Sequence, residues 1–163
     1  MDLLPLIAKD IADSLGMLKQ HLADFSDADM LARPVPSANH ANWQVGHLLG
    51  FELMVANMIG ATDLPALPAD FEAKYSPEAA KSYDGAKFLK KQELLALFDQ
   101  THAAIVKRVA AFKDADLATP TPPPLNQWVK TFAELAAKMP IHIVMHVGQI
   151  QVIRRKLGRK VLF

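Results

Sequence analysis

Two histidines near the end of the 163-residue chain have a spacing that suits a metal ion. His142 and His146 are four residues apart in a segment with helical periodicity, so they lie on one face, one turn above the other. This spacing lets two imidazoles reach the same divalent ion without bending the backbone. Ile150 and Ile153 continue the same face, which indicates that the imidazoles point inward. Two ligands do not complete a site, so a third must come from elsewhere.

His47 is the best candidate for the third ligand. It lies on the inward stripe of another amphipathic segment, together with Phe51 and with Trp43, which could line the same pocket. A shared ion would give buried imidazoles the partners that they need, whereas ordinary hydrogen bonds are the alternative explanation. Three imidazoles would leave a coordination position open for water or substrate. That arrangement is typical of catalytic sites, in which the ion activates water or a thiol.

Three more polar side chains could line the pocket or support the ligands. Gln149 could donate a hydrogen bond to a substrate or a ligand, although an interhelical hydrogen bond explains it equally well. His102 lies on the inward stripe of a third helix, where it could line the pocket or carry protons; a hydrogen-bonded core histidine is the simpler explanation. His40 is expected in a loop close enough to touch a substrate, and His21 is expected at the surface. None of them identifies a catalytic acid or base.

The elements that must position these residues are all helical. Apolar residues recur at three- and four-residue steps over four long segments, and prolines fall between them. The predicted helices cover about residues 2–24, 43–60, 91–112 and 131–157. The connection at 61–90 is long for a compact domain and predicts a crossover or a functional lid. The pattern therefore predicts one all-α domain over residues 1–163, a four-helix bundle with a long crossover between helices 2 and 3.

The sequence also predicts where the second and fourth helices begin and where the fourth is kinked. Asn42 is a good N-cap for the second helix. Thr131 and Glu134 have the spacing of a capping box at the start of the fourth helix. Pro140 lies inside the fourth helix and predicts a kink just before His142.

Composition narrows the classes of function. With 51% hydrophobic and 21% charged residues the chain has an ordinary soluble profile, and a net charge of +1 gives no reason to expect nucleic-acid binding. The absence of cysteine excludes disulfides, thiolate metal sites and a cysteine nucleophile. No signal peptide or membrane span is evident, so we expect a cytoplasmic protein that does not bind membranes. The basic cluster at 154–160 is explained by a favourable interaction with the end of a helix.

Three motifs taken together resemble the DinB superfamily of metalloenzymes. They are Asn-Trp-Gln-Val-Gly-His-Leu at 42–48, Thr-Phe-Ala-Glu-Leu at 131–135 and His-x3-His-x-Gly-Gln-Ile at 142–150. The resemblance extends over nearly the whole chain. It implies a four-helix bundle with up-down-down-up topology, often a homodimer. It also implies that a divalent ion, such as nickel or zinc, is bound by His47, His142 and His146.

The resemblance further implies an activity on a small molecule. Better-characterised relatives are S-transferases or isomerases that use low-molecular-weight thiols such as bacillithiol or mycothiol. Ile143 departs from the family pattern, because relatives often carry glutamate there, and Pro140 could shift His142. Two hypotheses follow. The protein is a metal-dependent transferase or hydrolase, or it is a non-catalytic, dimeric metal-binding or stress-response protein that keeps the fold.

Overall fold

Residues 4–162, which this computed structural model describes, contain six α-helices and no β-strand. Four helices are long, and they agree with the predicted ones to within a few residues. No helix in this part of the chain is both long enough and apolar enough to cross a membrane. The helices are α1 (Leu4–Leu22), α2 (Ala41–Met58), α3 (Phe71–Lys74), α4 (Lys91–Ala110), α5 (Asp114–Leu117) and α6 (Phe132–Lys156).

The four long helices form a bundle in which sequence neighbours are not all spatial neighbours. Helix α1 packs against α4 and α6, and α2 packs against the same two helices. Lys91, the first residue of α4, donates to the carbonyl of Leu22 at the end of α1, so these helices are antiparallel. Arg154, near the end of α6, donates to the carbonyl of His21, so α6 runs parallel to α1. The first turn of α2 contacts His146, late in α6, which makes those two antiparallel. The four-helix bundle therefore has the expected up-down-down-up order.

Two apolar clusters fill the interior. Burial of one leucine or isoleucine side chain contributes about 1.5–3 kcal/mol, so these clusters fix how the helices face one another. Ile143 and Ile150 of the first cluster lie on α6 and turn one face of that helix into the core. They therefore also set the direction in which His142 and His146 point. Fully buried members of the first cluster include Leu18, Leu48, Leu94, Ile143 and Ile150, and members of the second include Ile11, Val55, Ile105, Leu135 and Met139.

The long connection between α2 and α4 is packed across the beginning of α2. The Tyr75 ring lies directly on Gly46, where an added Cβ would be 2.0 Å from a ring carbon, so only glycine fits. The Tyr75 hydroxyl donates to the Asn42 side chain (3.1 Å) and accepts from the Leu89 backbone N–H (3.2 Å). The connection thus contains short helical turns and is tied to α2 at both its middle and its end.

The helix starts agree only in part with prediction. Asn42 is not the N-cap of α2, because it is buried inside the first turn and donates to the Leu89 carbonyl at 2.8 Å. His40 is the N-cap instead: its Nδ1 accepts a hydrogen bond from the Trp43 backbone N–H at 3.0 Å. The predicted capping box of α6 is present in one half: the Thr131 side chain accepts from the Glu134 backbone N–H, but the Glu134 carboxylate accepts from the backbone N–H of Lys130 and not of Thr131.

The basic residues at the end of α6 are used to hold the fold together. Arg154 is only 2% exposed, and its guanidinium donates to the His21 carbonyl at 2.7 Å and to the Lys160 carbonyl at 3.0 Å. It also forms a two-pronged ion pair with Asp24, at 2.5 and 3.2 Å. Lys156 donates to the Arg33 carbonyl, and Arg159 donates to the Asp29 carboxylate; both partners follow α1 in the chain. The cluster therefore closes one end of the bundle.

Replacing Arg154 should destabilise the protein strongly. In Arg154→Ala, the buried His21 carbonyl and the partly buried Lys160 carbonyl lose their donor, and we expect the free energy of unfolding to fall by about 2–4 kcal/mol. The adjacent Arg155 is exposed, so Arg155→Ala is the matched control and should change stability by less than about 0.5 kcal/mol. Urea denaturation of both variants measures the difference. Equal stabilities would contradict the role assigned to Arg154.

Candidate metal centre

Helices α2 and α6 bring the three predicted ligands together. The ligand nitrogens of His47, His142 and His146 all lie within 4.8 Å of one another. Their ring centroids are 5.1–5.4 Å apart. His146 is buried, whereas the other two are partly exposed, so the group is open on one side. Pro140 lies within α6 and does not end it, and His142 and His146 keep the one-turn spacing that the motif requires. We call these three residues the histidine triad.

Gln44 determines which nitrogen of His146 is free. The Gln44 Nε2 donates to the Asn39 carbonyl at 3.0 Å, so its Oε1 must be the atom that faces His146. That Oε1 lies 3.0 Å from Nδ1 of His146 and can only accept, which places a hydrogen on Nδ1. The lone pair of His146 is therefore on Nε2. A hydrogen bond of this kind to the second ring nitrogen is the usual way in which proteins orient a metal-binding histidine.

Aromatic rings restrain the other two imidazoles. Trp43 stacks on His47 with ring centroids 5.2 Å apart and planes 6° from parallel. The Trp43 indole is itself held by a hydrogen bond from Nε1 to the Ser76 carbonyl at 2.9 Å. Phe51, one turn after His47 on α2, meets His142 edge to face with ring centroids 4.7 Å apart. Trp43 was predicted to line the pocket, and the structure places it against the triad.

The triad is suited to holding a cation at neutral pH. Burial lowers the pKa of His47 and of His142, and the neighbouring imidazole lowers the pKa of His142 further. Burial, with the two other histidines, lowers the pKa of His146 to about 4. All three are therefore neutral near pH 7 and offer nitrogen lone pairs. Three imidazoles without a carboxylate form a donor set that suits zinc, nickel and similar divalent ions.

Gln149, which could have donated a hydrogen bond to a substrate or a ligand, is exposed on α6, and the glutamine that contacts a ligand is Gln44. Gln44 is in the quoted 42–48 motif, but its spacing alone does not distinguish it from its polar neighbour Asn42.

His102, on α4, forms its hydrogen bonds with α1 and α2 and not with the triad. Its Nδ1 is 2.9 Å from both carboxylate oxygens of Glu52, and its Nε2 is 2.9 Å from the Ile11 carbonyl. Burial raises the pKa of the Glu52 carboxyl, and the hydrogen bond with His102 opposes that shift. The structure thus supports the simpler explanation, a hydrogen-bonded core histidine. The buried partner, Glu52, was not anticipated from the sequence.

His40 lies in the loop before α2, as expected, but it is buried there; His21 is also buried, which corrects the expectation of a surface position. His40 caps α2 and packs edge to face on Phe88, with ring centroids 4.7 Å apart. His21 is in the last turn of α1, where its Nδ1 lies 2.8 Å from the Met17 carbonyl. The end of α6 covers this turn through Arg154, a contact that local sequence cannot indicate.

A cavity of about 390 Å³ adjoins the triad. It lies between α2 and α3, and His47 forms part of its wall. Its volume is near the lower end of the range for small-molecule sites, so it has room for a ligand of modest size.

The burial of His40 should make stability depend on pH. Burial, with the positive charge of Arg33, lowers the pKa of His40 to about 4, whereas an unfolded histidine has a pKa of about 6.5. Between these values the unfolded chain takes up a proton that the folded chain does not, so stability falls as pH falls. The slope from one such histidine is at most about 1.4 kcal/mol per pH unit.

His40→Asn tests this effect, because asparagine keeps an N-cap acceptor and does not titrate. We expect the pH dependence of unfolding free energy between about pH 6.5 and 4 to become shallower by up to that slope. Urea denaturation across this pH range is the measurement. An unchanged slope would show that His40 does not carry the effect, whatever the variant's stability at neutral pH.

The fold has counterparts among solved structures. A conserved protein from Enterococcus faecalis superposes with a TM-score of 0.67 at 18% identity, over 98% of this chain and 99% of that one. YfiT from Bacillus subtilis, described as a probable metal-dependent hydrolase with an unusual four-helix bundle topology, superposes with a TM-score of 0.69 at 15% identity, over 96% and 89% of the two chains. At these identities the likeness concerns the fold. No curated protein matches the sequence.

The sequence itself carries the family signal. The profile of the DinB superfamily matches residues 11–150, which include α2, α4 and all three histidines of the triad. Because this match covers most of the chain, the protein belongs to the DinB superfamily.

Proposed function

We propose that the protein binds one divalent metal ion through His47, His142 and His146 and uses it in a reaction on a small molecule. The observation that carries this proposal is the convergence of three neutral imidazoles, with ligand nitrogens within 4.8 Å, from two helices. The orientation of His146 by Gln44 adds to it. YfiT, a structural relative, is described as a probable metal-dependent hydrolase, which favours the same class of chemistry here.

The residues around the triad have distinct tasks in this proposal. A divalent ion held by three imidazoles would supply a Lewis acid with an open position, able to activate water or a thiol. Gln44 keeps Nε2 of His146 free, and Trp43 and Phe51 limit the rotation of the other rings. The partly exposed side of the triad gives access to a small substrate. Zinc or nickel is the ion that this donor set favours.

Hydrolysis is our first choice of reaction. A thiol transfer would need a co-substrate, such as bacillithiol or mycothiol, because the chain has no cysteine of its own. Ile143, where relatives often carry glutamate, is 1% exposed and belongs to the first core cluster. Residue 143 therefore supplies no acid or base for either reaction. A non-catalytic metal-binding protein is the alternative that experiment must separate from both.

The homodimer and the cytoplasmic location stay predictions. One feature supports the homodimer: the side of α6 that faces away from the bundle carries partly exposed apolar side chains. They are Ile141 (65%), Val144 (41%), Met145 (52%) and Val152 (49%).

Metal content tests the proposal directly. Untagged protein, incubated with Zn²⁺ or Ni²⁺ and freed of unbound ion, should retain about one ion per chain by elemental analysis. His146→Ala should lose it, and Gln149→Ala, an exposed change on the same helix, should retain it. A wild-type chain without metal would refute the site.

If the metal is bound, the reaction classes can be separated on the loaded protein. Hydrolysis predicts turnover of activated esters or amides without added thiol. Thiol transfer predicts a thermal shift with a low-molecular-weight thiol and none with its S-methyl ether. A metal-loaded protein that shows neither result would favour the non-catalytic alternative.

Gln44 should act on metal affinity through His146. Gln44→Met keeps the size of the side chain but removes the acceptor for Nδ1–H, and we expect Zn²⁺ affinity to fall about 10- to 100-fold. Gln44→Glu restores an acceptor and should recover most of the loss. Competition with a chromogenic chelator measures both. If the two variants bind equally, or if neither differs from wild type, Gln44 does not orient the ligand.

A further inference from the structure

The side chains that line the cavity beside the triad favour one kind of ligand. Three aromatic side chains line it, from Phe51 on α2, Phe71 at the start of α3 and Tyr75 just after it. Among residues 4–162, the titratable side chains that line it are Glu72, Tyr75 and His47 of the triad, and no lysine or arginine is among them. The Tyr75 hydroxyl is already bonded to Asn42 and to the backbone at Leu89, so this residue offers its ring rather than its oxygen.

The charge of Glu72 is not neutralised by a neighbouring cation. No salt bridge to Glu72 occurs within residues 4–162, and Lys74, the closest lysine along α3, is paired with Asp70 at 2.8 Å. The cavity therefore combines aromatic faces, which carry partial negative charge, with a free carboxylate.

The glycines of α2 leave this cavity open. Gly46 and Gly50 are one turn apart on the cavity side of the helix. At Gly46 the Tyr75 ring occupies the place of a side chain, whereas at Gly50 an added Cβ would make only ordinary contact, 3.6 Å from Phe71. The space above Gly50 is thus free of packing, and a residue placed there would reduce the volume open to a ligand.

We infer that this cavity is the substrate pocket and that it takes a small organic cation, an apolar or aromatic body with an ammonium group directed to Glu72. Aromatic rings and a carboxylate are the groups by which proteins recognise organic ammonium ions. The inference rests on the proposed function for its link to catalysis, because His47 is shared between the cavity and the triad. The opposite end of the ligand would lie toward His47.

Three probes with one aromatic body separate charge from shape: 2-phenylethylammonium, 2-phenylethanol and phenylacetate. Trp43 stacks on His47, so its fluorescence can report binding once the other tryptophan, the exposed Trp128, is removed as Trp128→Phe. We expect the ammonium compound to bind more tightly than the alcohol, and phenylacetate to bind least. Glu72→Gln should weaken ammonium binding by roughly two- to fivefold, the range for an exposed ion pair, and leave the alcohol unchanged.

Gly50→Leu should weaken all three probes by filling the cavity, and Gly50→Ala should have a smaller effect. Glu72 is exposed, so its replacement is not expected to affect folding, and the test does not depend on the bulkier variant. Tightest binding of phenylacetate, or an ammonium-to-alcohol preference unchanged in Glu72→Gln, would overturn the inference.

Titrations with and without Zn²⁺, and metal content on the same samples, distinguish the two proposals. Loss of metal binding with the ammonium preference intact would refute only the proposed function. Metal binding without that preference would refute only the assignment of this pocket.

Discussion

The antiparallel contact between α2 and α6 is the constraint on which the candidate site depends. It joins residues that are far apart in the chain: Gln44 and His146 are separated by 102 positions. Neither helix has a complete ligand set, so the site exists only when the two are packed at one distance and one register. Helices α1 and α4 contribute no ligand. They hold the arrangement because α1 packs against α6, α4 packs against α2, and α1 and α4 pack against each other, so ordinary apolar packing sets the separation of the imidazoles.

Buried polar groups then fix the rotation and register of α2, which apolar packing alone does not determine. Gln44 connects His146 to the loop before α2, Asn42 connects α2 to the following connection, and Glu52 connects α2 to α4. Each of these side chains is almost fully buried. Leaving such a group without its partner costs about 1–3 kcal/mol, so a rotation or shift of α2 would be penalised at several places at once. The same bonds that specify the register of α2 therefore keep His47 aimed at α6.

Much of the fold and part of the site could be predicted from the sequence, and the division between success and failure has a physical cause. The four long helices and the pair His142 and His146 depend on spacing within one element, and spacing is visible in the sequence. Gln44 and Glu52 depend on which buried polar residue faces which across two elements, and that is settled only by packing. His21 illustrates the same point, because it was expected at the surface and is covered by the distant end of α6.

The separation of the ligands along the chain has a consequence for stability. An ion held by both α2 and α6 would act as a reversible cross-link that closes a loop of about a hundred residues, and the unfolded chain, with its histidines dispersed, could not hold it in the same way. The ion would then stabilise the native state by mass action, by about 2.7 kcal/mol at a free concentration one hundred times its dissociation constant. The melting temperature of this protein would accordingly report the availability of metal around it.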